Sequence, residues 1–251
     1  MIHLGDSTWQ SCGDTPLLLL ALGSCEQHGP HLPLDTDTRV AVAIAERAAV
    51  GRTGVLVAPP LAFGASWEHA GFPGLLSLNA DVLTSVLVEL AHSADWAAGI
   101  VVVNGHGGNL AGVKRAVEIL RSEGRNVSSW SPTHATGAGQ AGGPVEGGGP
   151  VEGAGSRPGP GTFVGDFHAG RSETSMMLAI DPASVRLERS ESGWIGSPEA
   201  LRQQPVRALS PNGVLGNPAG ASAEEGAALL DSLATDLGRT IDEALRLSRP
   251  R

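Results

Sequence analysis

Lysine is almost absent from this sequence: Lys114 is the only one among 251 residues, and the formal net charge is -9. The basic side chains form no cluster anywhere along the chain. Proteins that bind nucleic acids need such clusters, because much of their affinity comes from neutralising backbone phosphates. We therefore expect no nucleic acid among the partners of this protein.

Long apolar runs and a cysteine framework are also missing. The longest apolar run near the start, Leu17 to Leu22, is far shorter than the roughly 20 residues that cross a bilayer, and no cationic segment or cleavage site precedes it. Cys12 and Cys25 are the only cysteines, too few for the disulfide scaffold of a small secreted protein. We therefore expect a cytoplasmic protein without a membrane partner.

Apolar segments alternate instead with segments of helical period. The length suits one α/β domain, and the β-α order with short links predicts a mainly parallel sheet covered on both faces by helices. The predicted strands are Pro16 to Leu22, Gly54 to Pro60, Gly99 to Gly105 and Asn126 to Trp130. The predicted helices are Thr38 to Val50, Asp81 to Ala97, Leu110 to Ser122 and Ser222 to Leu247.

The stretch from Gly137 to Gly161 does not follow this pattern. It has almost no apolar side chains and repeats GGPVEG nearly in tandem. Such a composition cannot offset its ordering entropy by burial, which predicts a flexible insertion within the single domain 1–251. A tolerated insertion and a mobile lid over a site are both compatible with this composition.

A short stretch behind the first predicted strand collects side chains that bind metals. In SCEQHGPHLPLDTDT, extended backbone would point Glu26 and His28 to one side and Gln27 to the other. Asp37 lies just before the next predicted helix, where its two oxygens could bridge two ions. The alternative is an ordinary polar loop with an aspartate that caps a helix.

Two further clusters strengthen the metal interpretation. His106 follows the third predicted strand in NGHGGN, at the carboxyl edge where open α/β sheets place their ligands. Asp166, His168 and Glu173 lie together in DFHAGRSETSMM, at the start of a strand or helix. One histidine beside glycine is more often structural than a ligand, but three clusters in compatible positions predict a metal site.

Taken together, these motifs carry a family resemblance. EQHGPHLPLDTDT, SWEHAGFPGLLSL, NGHGGN and HAGRSETS, in this order, resemble the creatininase family of metal-dependent amidohydrolases. The resemblance runs from about Leu18 to Leu178, apart from the Gly/Pro-rich insertion. It implies a three-layer αβα sandwich, one or two divalent ions per subunit (Zn, Fe or Mn), hydrolysis of a C–N bond, and a homo-oligomer.

The resemblance also implies roles for individual residues. Asp37 would bridge two metals, and His168 would transfer a proton. Glu173 would be both a ligand and part of the catalytic group. Creatininase itself supplies a glutamate after its NGH motif, where this sequence has Gly108. The implied metal ligands are Glu26, His28, Asp37, His106 and Glu173.

Other side chains near these motifs are candidates for the substrate pocket. We expect His31, Trp67, His69 and Arg171 to bind substrate, although His31 and His69 could equally be structural. Asp35 is expected at the surface, not among the ligands. Cys25 should face away from Glu26 as an unreactive thiol.

Within the family, HGGN and DFHAGRSETSMML are most similar to the branch that processes the precursor peptide of the redox cofactor mycofactocin. This implies a peptidase that acts on a short precursor peptide and removes its modified C-terminal Val-Tyr dipeptide. The alternatives are a creatinine amidohydrolase, a formamidopyrimidine-type deformylase, or a non-catalytic binding module stabilised by metal. Structural metal sites are usually closed and rich in cysteine, unlike this one, so an enzyme is expected.

Overall fold

A computed structural model describes residues 2–12, 16–132 and 166–247. The predicted insertion at 137–161 lies outside the described residues. The described part contains one five-stranded sheet in which every pair of neighbouring strands is parallel, in the order β1-β3-β2-β4-β5. The strands are β1 (Ile2–His3), β2 (Leu17–Leu22), β3 (Val55–Val57), β4 (Gly99–Asn104) and β5 (Val127–Trp130).

Helices cover both faces of this sheet, which confirms the predicted α/β class. They are α1 (Thr36–Ala49), α2 (Ala80–Ser93), α3 (Leu110–Ser122), α4 (Arg171–Ile180), α5 (Pro198–Gln203), α6 (Val206–Leu209) and α7 (Ala223–Leu247). Short 3-10 helices occupy Leu4–Asp6, Trp9–Ser11, Trp67–His69, Gly107–Asn109, Pro182–Ser184 and Leu187–Arg189.

The boundary of α1 corrects one prediction. The helix begins at Thr36, two residues before the predicted start, so Asp37 lies inside its first turn and not ahead of it. The early start follows from the loop before it, because the Thr36 hydroxyl donates to the Pro33 carbonyl at 2.7 Å. Asp37 does not cap the helix; the capping position is Asp35, whose side chain makes no capping bond.

The central strand β2 buries side chains on both of its faces. Leu17 and Leu19 belong to the apolar core shared with α1, α4 and α7, whereas Leu18 and Leu20 belong to the core shared with α2 and α3. Burying one leucine contributes about 1.5–3 kcal/mol, so a strand that is apolar at every position is stabilised most at the centre of a sheet. This explains why LLLLAL forms the middle strand.

The chain changes direction across the sheet at β2 and β4. From β2 the chain leads through α1 to β3 on one side, whereas from β4 it leads through α3 to β5 on the other. Leu22 and Asn104 are paired in register, so the loops that leave these two strands begin side by side. Open α/β sheets bind ligands in the crevice that such diverging connections leave.

None of the helices in the described ranges combines the length and the apolar character needed to cross a membrane.

Candidate metal centre

The loop after β2 is held against the first turn of α1. A Cβ at Gly23 would overlap the backbone of Thr38, so this close approach requires glycine. The Thr38 hydroxyl donates to the Ser24 carbonyl at 3.3 Å, and the Ser24 hydroxyl donates to Asp37 Oδ2 at 2.7 Å. These contacts bring the Asp37 carboxylate into the crevice next to Glu26.

The loop after β2 brings Glu26 and His28 together and adds a contact from Gln27. Glu26 and His28 are completely buried and offer ligand atoms to the cluster. Gln27 offers no ligand atom but is also buried, and its amide nitrogen lies 2.9 Å from His69 Nδ1 and 3.0 Å from the Gly213 carbonyl oxygen. Sequence reasoning placed Gln27 outside the site, whereas the structure uses it to hold the histidines behind the ligands.

The orientation of His28 is set by its backbone contact. Its Nδ1 lies 3.2 Å from the Glu26 carbonyl oxygen, to which it donates. Its Nε2 then faces Asp37 Oδ1 at 3.2 Å and Glu173 Oε2 at 4.0 Å. Metal-binding histidines commonly donate one ring N–H to a carbonyl oxygen in this way, which leaves the other nitrogen for the ion.

Two asparagines hold the NGHGGN turn at the end of β4. Asn109 accepts the Ala65 N–H at 2.7 Å and donates to the Gly23 carbonyl at 3.0 Å and to Asn104 Oδ1 at 3.0 Å. Asn104 in turn donates to the His106 carbonyl at 2.9 Å. This buried network joins the loops that follow β2, β3 and β4, and so fixes the position of His106.

His106 links two of the carboxylates. Its Nδ1 lies 3.0 Å from Asp37 Oδ2, and its Nε2 lies 3.3 Å from Glu26 Oε2. The imidazole is 7% exposed. His106 thus meets the ligands predicted from the first motif, although it follows a different strand.

The third predicted cluster forms a turn before α4. Ala169 is fully buried and adopts a φ of 52°, a left-handed conformation that costs a non-glycine residue energy. In this conformation its N–H donates to Glu173 Oε2 at 2.6 Å, which holds that carboxylate near His28. Asp166 also braces the turn, because it accepts the Ser172 N–H at 2.9 Å.

His168 lies behind the carboxylates. Its ring centroid is 4.2 Å from that of His28 and 4.5 Å from that of His69. Its Nε2 is 2.7 Å from the Gln27 carbonyl oxygen and 3.1 Å from the Gln27 amide nitrogen. The contact with the carbonyl oxygen requires a proton on Nε2, whereas the contact with the amide nitrogen requires a lone pair there. Because the contact with the carbonyl oxygen is the shorter one, we assign the proton to Nε2. Nδ1 is then the unprotonated nitrogen, 3.6 Å from Glu26 Oε1.

The described residues offer three groups whose ligand atoms lie close enough to hold a metal ion. They are Glu26 with Asp37 and His106, His28 with Asp37 and Glu173, and Glu26 with His28 and His168. Both oxygens of Glu26 are buried and have no hydrogen-bond partner within the described ranges. Orphaned buried polar atoms are costly, so this donor set fits a divalent cation.

The pKa values of the carboxylates support this fit. Burial raises the pKa of Glu26 to about 8, against the attraction of His106, and likewise raises the pKa of Glu173 to about 7. Burial alone would raise the pKa of Asp37 too, but His28 and His106 hold it well below its usual value. Glu26 and Glu173 therefore need more positive charge nearby than the imidazoles supply if both are to be ionised at neutral pH.

The histidine pKa values separate into two kinds. Burial would lower the pKa of His28, yet the adjacent Asp37 raises it to about 9. Burial lowers the pKa of His69 to about 3, and it lowers the pKa of His168 well below the usual range. His69 and His168 are thus neutral imidazoles near neutral pH.

The residues predicted to bind substrate lie in different surroundings. His69 Nε2 is 3.1 Å from Glu26 Oε1, so His69 belongs to the cluster. His31 is fully buried, with its Nε2 2.9 Å from the Thr174 hydroxyl, and Trp67 is 62% exposed beside the cluster. Arg171 Nε lies 2.9 Å from Glu225 Oε2, where α4 packs against α7.

The residues predicted to stay outside the cluster do so. Asp35 Oδ1 accepts from Arg39 Nε at 2.8 Å, in an ion pair whose aspartate is 48% exposed. The Cys25 thiol is turned towards the Gly74 carbonyl at 3.5 Å.

Sequence reasoning also missed Glu68. Its Oε1 lies 3.0 Å from His106 Nε2, although Glu68 comes from the loop after β3. The available signal was its position in SWEHAGFPG, between the two pocket candidates Trp67 and His69.

Comparison with known proteins agrees with this geometry. The family model described as creatinine amidohydrolase matches residues 6–241. The chain belongs to the creatininase family. The fold and the recognition predicted from the motifs are thereby confirmed, and the amidohydrolase and peptidase relatives show that this chain is a hydrolase that acts on C–N bonds. The alternative of a non-catalytic binding module is wrong.

Among similar sequences, the mycofactocin precursor peptide peptidase of Mycobacterium ulcerans (strain Agy99) is 42% identical over 249 residues, covering 93% of this chain and 88% of that protein. The corresponding peptidase of Mycobacterium tuberculosis (strain H37Rv) is 39% identical, covering 95% and 90%. The creatinine amidohydrolase of Pseudomonas putida is 29% identical, with 96% of each chain covered.

Solved creatininase structures share the fold and carry metals. A creatininase variant of the Zn–Zn type superposes with a TM-score of 0.70 at 25% identity, covering 96% of this chain and 97% of that one. A structure titled "Creatininase Mn" superposes with a TM-score of 0.66 at 25% identity, covering 96% and 98%. Together with the three ligand groups, these structures support a divalent metal in this member of the family.

Proposed function

We propose that this protein is a metal-dependent peptidase that cleaves the mycofactocin precursor peptide and releases its modified C-terminal Val-Tyr dipeptide. The proposal rests on the difference in sequence identity between this chain and two kinds of relative. Peptidases of this name are 39–42% identical to the chain, whereas the creatinine amidohydrolase is 29% identical at equal or greater coverage. Gly108 also argues against a creatininase activity, because creatininase has a glutamate at this place after its NGH motif.

The proposed metal centre has two positions that share Asp37. Glu26, Asp37 and His106 would hold one ion, and His28, Asp37 and Glu173 the other. A bridging role for Asp37 is supported by its two oxygens, because Oδ1 faces His28 and Oδ2 faces His106. Zn, Fe and Mn all accept such imidazole and carboxylate ligands, and elemental analysis of purified protein would identify the ion.

The mechanism combines this centre with the neutral histidines behind it. A divalent metal bound there would lower the pKa of a water molecule and polarise the scissile carbonyl. His168 would take up the proton of the attacking water at Nδ1, because Nε2 is engaged by the Gln27 carbonyl oxygen, and would deliver it to the leaving nitrogen. Glu173, held by the Ala169 N–H, would keep its carboxylate directed at the centre. Trp67, His69, His31 and Arg171 remain our candidates for contacts with the peptide.

Mass spectrometry of three reactions would test the proposal. Metal-loaded protein is incubated with a precursor peptide that ends in Val-Tyr, with creatinine, and with a formamidopyrimidine. We expect release of the dipeptide, no release after chelation, and negligible turnover of the other two substrates. Efficient opening of creatinine or deformylation, with the peptide left intact, would instead assign the activity of another branch of the family.

We further propose a single creatininase-like domain that functions in the cytoplasm as a homo-oligomer. The family resemblance supports the oligomer, and the scarcity of cysteine supports a reducing compartment. Light scattering coupled to gel filtration would give the molar mass in solution, and a mass equal to that of one chain would contradict the oligomer.

A further inference from the structure

Glu68 stands at the outer side of His106. It lies in the 3-10 helix Trp67–His69, and its Oε1 is 3.0 Å from His106 Nε2. Its side chain is 34% exposed, whereas that of His106 is 7% exposed. Glu68 is absent from the three groups of atoms that converge closely enough to hold an ion. Its carboxylate therefore contacts a proposed ligand but lies outside the proposed ligand set.

The two nitrogens of His106 face different partners. Nδ1 is 3.0 Å from Asp37 Oδ2, on the side of the shared bridge. Nε2 is buried and has no well-aligned hydrogen bond to any residue of the described part, although Glu68 Oε1 is nearer to it than Glu26 Oε2, at 3.0 Å against 3.3 Å. A buried imidazole N–H needs an acceptor, and Glu26 is itself a proposed ligand. Glu68 is the acceptor that remains.

Gly108 explains why the carboxylate comes from this loop. A Cβ at position 108 would lie 2.6 Å from His106 Nε2, and closer still to Glu68 Oε1 and to the Ala65 carbonyl oxygen. The Ala65 backbone cannot easily withdraw, because its N–H donates to Asn109 at 2.7 Å. A glutamate at position 108, as the resemblance places in creatininase, is therefore excluded here, and the Glu68 carboxylate fills the space beside His106.

We infer that Glu68 is a positioning residue that accepts a hydrogen bond from His106 Nε2 and directs Nδ1 to the metal. This inference rests on the metal centre proposed above. Carboxylates that orient a metal-bound histidine in this way raise the basicity of the ring, and their removal typically costs about 10–100-fold in metal affinity. Glu68 would supply this effect from the loop after β3, in a family member that has no side chain at position 108.

Cobalt binding by purified protein tests the role without measuring turnover. Co²⁺ affinity by chelator competition, Co²⁺ stoichiometry and the visible absorption spectrum are measured for wild type, Glu68→Ala and Glu68→Gln. We expect Glu68→Ala to bind about 10–100-fold more weakly with a shifted spectrum, and Glu68→Gln to recover part of the loss because its amide oxygen can still accept. Should Glu68→Ala fail to fold, Glu68→Gln is compared with wild type alone, and weaker binding is expected.

Glu46→Ala is the matched control. Glu46 is 36% exposed and its Oε1 lies 3.5 Å from His3 Nε2. The Glu46→Ala substitution therefore removes a carboxylate that is about as exposed as that of Glu68 and that also faces a histidine. Wild-type affinity and spectrum in the Glu68 variants would overturn the inference, as would an equal loss in Glu46→Ala. Loss of one whole ion in Glu68→Ala would overturn the positioning role by making Glu68 a ligand. If wild type itself binds no metal, the proposed metal centre fails as well, whereas normal binding by every variant defeats only this inference.

Discussion

His106 Nδ1 lies 3.0 Å from Asp37 Oδ2, although one residue follows β4 and the other lies in the first turn of α1. The contact exists because β2 and β4 are neighbours and their carboxyl ends are level. The chain leaves β2 towards α1 and leaves β4 through the NGHGGN turn, and both paths enter the crevice between the diverging connections. The candidate metal centre is thus a consequence of strand order.

Asp37 should be essential for metal binding, whereas its neighbour Asp35 should not. Asp37→Ala removes the one carboxylate shared by both proposed positions, so we expect loss of bound metal and of turnover. Asp35→Ala breaks only a part-exposed pair with Arg39, which contributes about 0–1 kcal/mol to the free energy of unfolding. Metal content by elemental analysis distinguishes them, and equal loss in both variants would show that the wrong aspartate was assigned.

Substitution of His168 should abolish activity, whereas substitution of His106 should abolish metal binding. His168→Ala is expected to keep its metal and its fold but to lose about 10²–10⁴-fold in kcat, because the leaving nitrogen is no longer protonated. His106→Ala is expected to lose metal, because its Nδ1 faces the shared bridge. Metal content and single-turnover rates are measured on the same samples. A demetallated His168→Ala protein would make His168 a ligand, as one of the three groups allows.

The amide of Asn109 should stabilise the fold as well as the site. Asn109→Ala deprives the buried Ala65 N–H of its acceptor and the Gly23 carbonyl of a donor, which should lower the free energy of unfolding by about 2–4 kcal/mol. Asn79→Ala is the control, because Asn79 only caps α2 through Val82 N–H, a contact that contributes about 1 kcal/mol. Urea unfolding of both variants gives the comparison, and equal losses would contradict the proposed network.

Gly108 should tolerate no side chain. Gly108→Ala forces a methyl group against the Ala65 carbonyl and His106, so we expect a loss of about 1–3 kcal/mol from overpacking and weaker metal binding. Gly5→Ala is the control, because the added Cβ would meet only Pro59 Cγ at an ordinary 3.7 Å. Thermal unfolding and metal content are measured together. Wild-type values for Gly108→Ala would mean that the Ala65 loop withdraws without cost.

Deletion of residues 137–161 tests the predicted flexible insertion, which rests on composition. The stretch has too few apolar side chains to contribute to a core, so the melting temperature should change little. Comparison of peptide cleavage by the deleted and full-length proteins distinguishes a tolerated insertion from a lid. A large fall in melting temperature would show that the segment is packed.

Most of the succession of strands and helices was determined by the sequence itself. Apolar runs such as LLLLAL and GIVVVN, separated by segments of helical period, placed four strands and four helices, with α3 at its observed bounds. Such local patterns suffice because burial stabilises each element through its own periodicity. The strand β1 was missed, because its two residues are too few to show a pattern.

The tertiary structure alone decided which side chains meet. The order β1-β3-β2-β4-β5 arises from contacts between segments distant in sequence, which no local pattern encodes. The family motifs predicted the ligand set. The contacts of Gln27 and Glu68 with the site could be recognised only from the positions of the loops after β2 and β3 in the folded chain. Their roles depend on contacts with residues distant in sequence: the Gln27 amide lies against His69 and the Gly213 carbonyl, and the Glu68 carboxylate lies 3.0 Å from His106 Nε2.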